Sequence, residues 1–149
     1  MLSTVHKIAA ALATATIATF WASTLFSEVF LDHTAITAVK TAIPYGFFVL
    51  IPAMALAGVT GAKLAKGRVG GVLGAKSKRM PIVAANGILI LIPAALFLAS
   101  KAQAGSFDTS FYVVQIFELF AGALNLTLLG LNIRDGRKLT AGKRRRAKE

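Results

Sequence analysis

The chain contains no cysteine and few charged residues for its length of 149 residues. Without cysteine it has no disulfide, no thiolate metal ligand and no cysteine nucleophile. Charged residues make up 15% of the chain, against about a quarter in soluble domains, and hydrophobic residues make up 56%. The mean hydropathy is +0.68. This balance predicts a membrane protein.

Short motifs that mark common enzymes are also missing. We find no nucleophile elbow, Walker A loop, zinc-protease pair or dinucleotide fingerprint. The apolar composition leaves no polar segment long enough to form a separate soluble domain. An enzymatic reaction is therefore less favoured than binding or transport.

Acidic residues are scarce, and the basic residues are unevenly placed. The 17 Lys and Arg residues against 6 Asp and Glu give a net charge of +11. Six of the basic residues lie in 63–79 and eight in 134–148, whereas the other two connections carry Glu28, Asp32 and Asp108. Alternation of this kind is the positive-inside pattern of membrane proteins. It predicts contact with anionic lipids at the cytoplasmic face and argues against nucleic acid as a partner.

Four apolar runs are separated by these connections. They cover residues 8–30, 41–59, 81–100 and 111–133, and their lengths are close to the ~20 residues that a helix needs to cross a bilayer. Helices satisfy their own backbone hydrogen bonds in lipid, so helices are expected. We predict an all-α fold, a four-transmembrane-helix antiparallel bundle with the N- and C-termini cytoplasmic. It forms a single domain over 1–139, followed by a disordered basic tail at 140–149.

The first run has an alternative interpretation as a cleaved signal peptide. Lys7 is the one basic residue before it, and no clear small-residue cleavage site precedes a polar mature start. A membrane span is therefore the favoured interpretation. Either way, the basic connections place the protein in a bacterial-type cytoplasmic (inner) membrane as a multi-pass protein.

The last apolar run contains a polar stripe. Gln115, Glu118, Gly122, Asn125 and Asn132 are spaced so that all five share one face of a helix. An ionised carboxylate at membrane depth costs ~2.5 kcal/mol or more, and such residues usually have a function. Glu118 is therefore predicted to be the centre of an intramembrane polar site that carries a proton or binds a small cation.

Partners for Glu118 are expected on the first two spans. Thr19 and Ser23 on the first span and Tyr45 on the second are candidate hydrogen-bond donors at a similar depth. Lys40 lies slightly further out, but its long side chain can reach toward the carboxylate. A purely structural interhelical hydrogen bond is the alternative role for Glu118.

The third span contributes a second polar group. Asn86 lies at a depth similar to that of Asn125, which predicts an amide pair between the third and fourth spans. A pair of this kind serves as structural adhesion, or with Asn132 it extends a polar track toward the cytoplasm. Small residues predict close helix packing, within the bundle or between protomers, at 11, 15, 18 and 22 in the first span and at 53, 57 and 61 in the second.

The two histidines suggest a different chemistry. His6 and His33 are separated by 27 residues, or ~40 Å of helix, so one chain cannot place both on a single haem. His6 with Met80, or His33 with a second subunit, could ligate haem b, which is the cofactor that we consider. His33 with Asp32 provides too few ligands for a metal site, and none is predicted.

Three functions follow from these observations. The first is an intramembrane site centred on Glu118 that handles protons or a small solute. The second is a haem-b electron-transfer protein that uses His6, His33 and Met80. The third is a non-catalytic accessory or scaffold subunit of a membrane complex, or a homo-oligomer. The sequence does not specify a substrate, a transport direction or a bound cofactor.

Overall fold

The structure, a computed structural model, describes residues 1–65 and 71–146, with side chains described except at 71–77 and 139–146. All regular secondary structure in these residues is helical. In chain order it comprises α1 (Leu2–Phe30), α2 (His33–Ala65), α3 (Gly71–Asn86), a π-helix (Gly87–Leu91), α4 (Ile92–Gln103) and α5 (Thr109–Arg146).

Four helices are long and apolar enough to cross a membrane. They are Leu2–Phe30, His33–Ala65, Lys78–Gln103 and Thr109–Lys138, and the third combines the end of α3 with the π-helix and α4. The prediction of four apolar helical spans is confirmed. These helices are what a multi-pass integral membrane protein requires.

The connection between α1 and α2 is shorter than the sequence predicts. α1 ends at Phe30 and α2 begins at His33, well before the predicted start of the second span at residue 41. The Asp32 carboxylate accepts a hydrogen bond from the Ala35 N–H at 2.9 Å and so caps α2. Counting apolar residues misses this polar first turn. Because α2 begins this early, Lys40 lies within a helix that is long and apolar enough to cross a membrane.

α5 extends beyond the end that the sequence predicts at residue 133. It is helical to Arg146, into the basic segment 140–149. Lysine and arginine are good helix formers, and their charge is favourable near the carboxyl end of a helix. Residues 147–149 of the predicted disordered tail lie outside the described residues.

Two apolar clusters hold the helices together. The larger joins α1, α2, α3 and α5 through Ala13, Ile17, Leu50, Ala53, Val83 and Leu129. The smaller joins α2, α4 and α5 through Ile36, Leu98, Ala102 and Phe111. In lipid, close packing of this kind replaces the hydrophobic effect as the cause of helix association.

Small residues do allow close packing, but on a different face of α1 from the one predicted. The structure buries Ala9, Ala13 and Ile17, whereas Ala11, Ala15 and Ala22 are exposed. Within one chain the predicted face of α1 is therefore not the packing face, and its packing between protomers stays a prediction. Alanine occupies several faces of this helix, so spacing alone does not select one. In α2 the predicted Ala53 and Ala57 are buried.

Large apolar side chains cover the outside of the helices. Phe48, Leu89 and Phe120 are exposed by 82%, 71% and 75%. Exposed apolar surface on this scale would be unfavourable in water. It is the surface expected of helices whose outer faces contact lipid.

A π-helix interrupts the third span just before a proline. The wide turn covers Gly87–Leu91, and Pro93 is the second residue of α4. Proline has no N–H to donate, and its ring clashes with the carbonyl four residues earlier in an α-helix. The wide turn accommodates Pro93 without ending the span.

Candidate functional site

The polar stripe of α5 faces the other helices. Gln115, Asn125 and Asn132 are 3%, 0% and 5% exposed, Gly122 is buried and Glu118 is partly buried. The apolar residues between them, such as Phe117, point outward. α5 therefore places its polar side chains between helices and its apolar side chains toward the surroundings.

A buried ion pair lies at the centre of this face. The Lys40 ammonium on α2 donates to Oε2 of Glu118 on α5, with an Nζ to Oε2 distance of 2.7 Å. The Lys40 side chain is 1% exposed and that of Glu118 is 12% exposed. Lys40 lies ~10 Å along α2 from its first residue, and Glu118 lies ~14 Å along α5. Both charges are thus well inside their spans.

Gln115 is the neighbour of this pair one turn earlier in α5. Its Nε2 donates to Glu118 Oε2 over 3.4 Å. Its Oε1 is buried and has no hydrogen-bond partner among the described residues. The amide therefore supports the carboxylate with one end and leaves an unused acceptor at the other.

A second carboxylate, Glu28 at the end of α1, belongs to the same cluster. It interacts electrostatically with Lys40, Glu118 and His33. Its Oε1 is buried and lacks a partner within the part of the chain that is described. The sequence does not single out Glu28, because a charge at the end of a span is unremarkable and the proximity of Glu28 to Glu118 depends on packing between distant segments.

The donors predicted for Glu118 on α1 and α2 lie elsewhere. The hydroxyls of Thr19 and Ser23 donate to the Ala15 and Phe20 carbonyls of their own helix. Tyr45 is 70% exposed. The structure therefore does not bring these three predicted residues to the ion pair.

The polar residues that α1 does bury are Thr24 and Ser27. They are 3% and 1% exposed, and the Ser27 hydroxyl donates to the Thr24 carbonyl at 3.0 Å. They share a helix face with Ile17 and Ala13. The sequence did not predict that this face of α1 points inward. Among the predicted partners of Glu118, Lys40 is the one that contacts it, so this prediction is confirmed.

An indole ring separates the ion pair from the next polar group of the stripe. Trp21 Nε1 donates to the Leu119 carbonyl at 2.9 Å. Its ring lies against Gly122, where an added Cβ would be 2.7 Å from Trp21 Cδ1. Glycine at 122 is therefore required for this contact. The single tryptophan of the chain packs one turn from Glu118.

The predicted amide pair between the third and fourth spans is confirmed. Asn86 Nδ2 donates to Asn125 Oδ1 and to the Ala121 carbonyl, both at 2.9 Å. Asn125 Nδ2 donates in turn to the Val83 carbonyl at 3.4 Å. Both side chains are buried. The pair ties α3 to α5 with side-chain and backbone hydrogen bonds together.

Another polar group ties the second half of α5 to α3. Asn132 Nδ2 donates to the Met80 sulfur at 3.3 Å, and Asn132 Oδ1 is buried without a partner among described residues. One turn further on, Arg79 donates to Asp135 Oδ2 at 2.7 Å. The stripe thus continues as far as Asp135, but as separate pairs.

The predicted haem ligands have protein partners. His6 Nδ1 lies 3.0 Å from the Ala57 carbonyl and 3.1 Å from Thr60 Oγ1, near the end of α2. His33, at the start of α2, stacks on Phe107 with ring centroids 4.0 Å apart. The two histidines lie at opposite ends of α2. Haem binding remains a prediction that rests on residue types alone.

Another ion pair lies at the same end of the helix bundle as Glu28, and its carboxylate lies outside the four candidate spans. Lys101 and Asp108 form it, and the Ser110 hydroxyl and Phe111 N–H also donate to Asp108. These contacts, led by the hydrogen bond from Lys101, hold the pKa of Asp108 below its usual range. Asp108 therefore stays ionised and caps the start of α5.

The described part of the chain contains no group of three or more His, Cys, Asp or Glu residues that could hold a metal ion. Its distinctive feature is instead a lysine and two glutamates held together by three helices. Comparison of the chain with protein-family models, curated proteins and solved structures found no match.

Proposed function

We propose that this integral membrane protein binds and releases a proton at the Lys40–Glu118 pair. The observation that carries the proposal is a hydrogen-bonded ion pair at 2.7 Å within apolar helices, with Lys40 1% exposed. Ionisable groups inside membrane spans are rare, face the interior and mark proton or ion pathways.

The cost of burying charge favours a functional role for the Lys40–Glu118 pair over a structural one. Desolvation of a buried ion pair offsets much of its Coulombic attraction, and apolar residues of similar volume often stabilise a protein equally well. The amide pair of Asn86 and Asn125 shows that α5 is joined to another helix, α3, by neutral groups. A lysine and a glutamate are costly where adhesion is the sole requirement.

Gln115 supports the proposal because it can bond to either form of Glu118. Its Nε2 donates to the ionised carboxylate. When Glu118 is protonated, a rotation of the amide presents Oε1, which has no other partner among the described residues, to the new O–H. Both protonation states therefore have a hydrogen-bond partner, which lowers the cost of switching between them.

We also propose the orientation that the basic connections predict. Both termini and the 63–79 segment then face the cytoplasm, against anionic lipids, and the four spans form one antiparallel domain in a bacterial-type inner membrane. Glu28, His33 and Asp108 then lie at the outer face. Modification by a membrane-impermeant reagent of single cysteines at positions 108 and 147 tests this orientation.

The test of function is proton flux in liposomes. Purified wild-type protein and Glu118→Gln are reconstituted with an internal pH dye, and the internal pH is followed after an external acid pulse. We expect wild-type protein to carry protons and Glu118→Gln to lose at least nine-tenths of that flux, because an amide cannot release a proton.

The matched control is Asp108→Asn, which removes the carboxylate of the Lys101–Asp108 ion pair at the same end of the helix bundle. Asparagine still caps a helix, so this variant is expected to keep wild-type flux. Helical content and elution on size exclusion establish that each variant is folded. Full flux through Glu118→Gln, or failure of that variant to fold, would show that the pair is structural.

A further inference from the structure

We propose that Glu28 is the group through which the Lys40–Glu118 pair exchanges its proton with water, and that Lys40 serves both carboxylates in turn. This inference rests on the proposed function and adds the route and the second carrier. It places the entrance in the cleft beside Glu28.

The charges of Glu28, Glu118 and Lys40 favour one bound proton in this cluster. Glu28 interacts electrostatically with both members of the ion pair, so two carboxylates lie near one ammonium. With both carboxylates ionised the cluster carries one net negative charge in a poorly solvated place. Binding one proton makes it neutral. A cluster of this composition therefore favours a single bound proton, which can sit on either carboxylate.

The second argument is the pattern of hydrogen bonds. Lys40 donates to Glu118, whereas Glu28 Oε1 is buried without a partner among the residues that the structure describes. An ionised carboxylate left in that position would be costly. Lys40 pairs with Glu118, and in the proposed cluster the proton is therefore carried at Glu28.

The third argument is access to water. Glu28 lines an open cleft of about 330 Å³ together with Leu31, Asp32, His33, Ile36 and Tyr112. The titratable groups around Glu28 are thus Asp32, His33 and Lys40 on the α2 side and Tyr112 and Glu118 on α5. The Tyr112 hydroxyl lies 3.4 Å from His33 Nε2. Of the three charged residues, Glu28 is the one that lines this cleft, and it interacts electrostatically with both Lys40 and Glu118.

The proposed step is a proton transfer. A hydronium ion in the cleft gives its proton to the Glu28 carboxylate, which forms an O–H bond and leaves water behind. That bond then breaks as an O–H bond forms at Glu118, and the Lys40 ammonium moves from Glu118 to the newly ionised Glu28. One proton moves, and the cluster is neutral before and after the transfer.

The experiment uses the full chain in liposomes and compares Glu28→Gln with Asp108→Asn. Asp108 lies at the same end of the helix bundle but does not line the cleft, and asparagine at 108 still caps α5. We expect Glu28→Gln to slow proton flux at least tenfold and Asp108→Asn to change it less than twofold. Glu28→Asp, which keeps the carboxyl group, should retain most of the flux.

A second measurement excludes a merely structural role. The infrared difference spectrum between pH 8 and pH 5 contains a carbonyl stretch for each carboxyl that gains a proton. A band should be lost in Glu28→Gln, displaced in Glu28→Asp and unchanged in Asp108→Asn. If Glu28→Gln does not fold, the displaced band and retained flux of Glu28→Asp carry the test.

The outcomes separate this inference from the proposed function. Wild-type flux in Glu118→Gln overturns both. Loss of flux in Glu118→Gln with full flux in Glu28→Gln overturns the role of Glu28 alone. Slow flux in Glu28→Gln without a Glu28 band in the wild-type spectrum shows that Glu28 supports the fold and carries no proton, which also overturns it.

Discussion

The two polar clusters between the helices differ in how completely their hydrogen-bonding atoms are used. The amide pair of Asn86 and Asn125 contacts three acceptors, and within the described residues neither amide has a buried atom without a partner. The charged cluster contains two buried oxygens, on Glu28 and Gln115, that lack one.

This difference separates adhesion from chemistry. A satisfied neutral pair gains nothing from a further ligand, and its bonds contribute ~0.6 kcal/mol each in membrane helices. A charged cluster with unused acceptors can take up a proton and still pair every group. We therefore expect the two clusters to respond differently to mutation, with the charged cluster affecting proton flux and the amide pair affecting stability alone.

The largest effect is expected from Lys40→Met. This variant leaves the Glu118 carboxylate buried without its counterion, and the free energy of unfolding should fall by about 3–5 kcal/mol. The measurement is unfolding by sodium dodecyl sulfate in detergent micelles, followed by circular dichroism. The double variant Lys40→Met/Glu118→Met should recover most of the lost stability but none of the flux.

Recovery in the double variant is the informative result. It would show that the fold tolerates an apolar pair and that the charges serve another purpose. A single Lys40→Met variant as stable as wild type would contradict the desolvated ion pair.

A smaller effect is expected from Asn125→Ala. The variant removes the hydrogen bonds that Asn125 makes to Asn86 and Val83, and the free energy of unfolding should fall by about 1 kcal/mol. Proton flux per folded molecule should stay at the wild-type level. A loss of flux without a loss of stability would instead make the amides part of the proton path.

The smallest effect concerns Asp108 and depends on pH. The pKa of Asp108 is lowered in the folded protein, so its contribution to stability is present above the unfolded pKa of about 4 and is lost as the pH falls through the folded value. Asp108→Asn should therefore lower the melting temperature slightly at pH 7, and the difference from wild type should shrink below pH 4. Solvent weakens this exposed pair.

Thermal unfolding of both proteins at pH 7 and pH 3 checks this prediction. The charged cluster provides the contrast, since Lys40→Met is expected to destabilise the protein strongly at pH 7. A difference between wild type and Asp108→Asn that grows as the pH falls would contradict the lowered pKa of Asp108.

The outward and inward faces of α5 could be predicted from the sequence, and those of α1 could not. Polar residues are rare in an apolar helix, so Gln115, Glu118 and Asn125 define a face through their spacing alone. In α1, alanine and threonine occur on every side, and the choice of Ala13 and Ile17 as the inward face depends on the shape of α2 and α5.

The charged cluster of Glu28, Lys40 and Glu118 could be predicted only in part, for a related reason. Apolar composition places the start of the second span at residue 41, whereas the cap at Asp32 starts the helix earlier and carries Lys40 inside. Glu28 and Glu118 are separated by ninety positions in the chain. No local pattern in the sequence predicts an interaction between residues so far apart.

The wide turn at Gly87–Leu91 has a consequence for the whole third span. A π-turn holds one residue more than the α-helical repeat, so the helix beyond it is rotated by about 100° relative to an uninterrupted helix. Asn86 precedes the turn and meets α5, while Leu98 follows it and packs against Ile36 and Phe111. Removal of a single residue here would turn one of these two contacts away from its neighbours. The length of this segment is therefore as much a part of the fold as its composition.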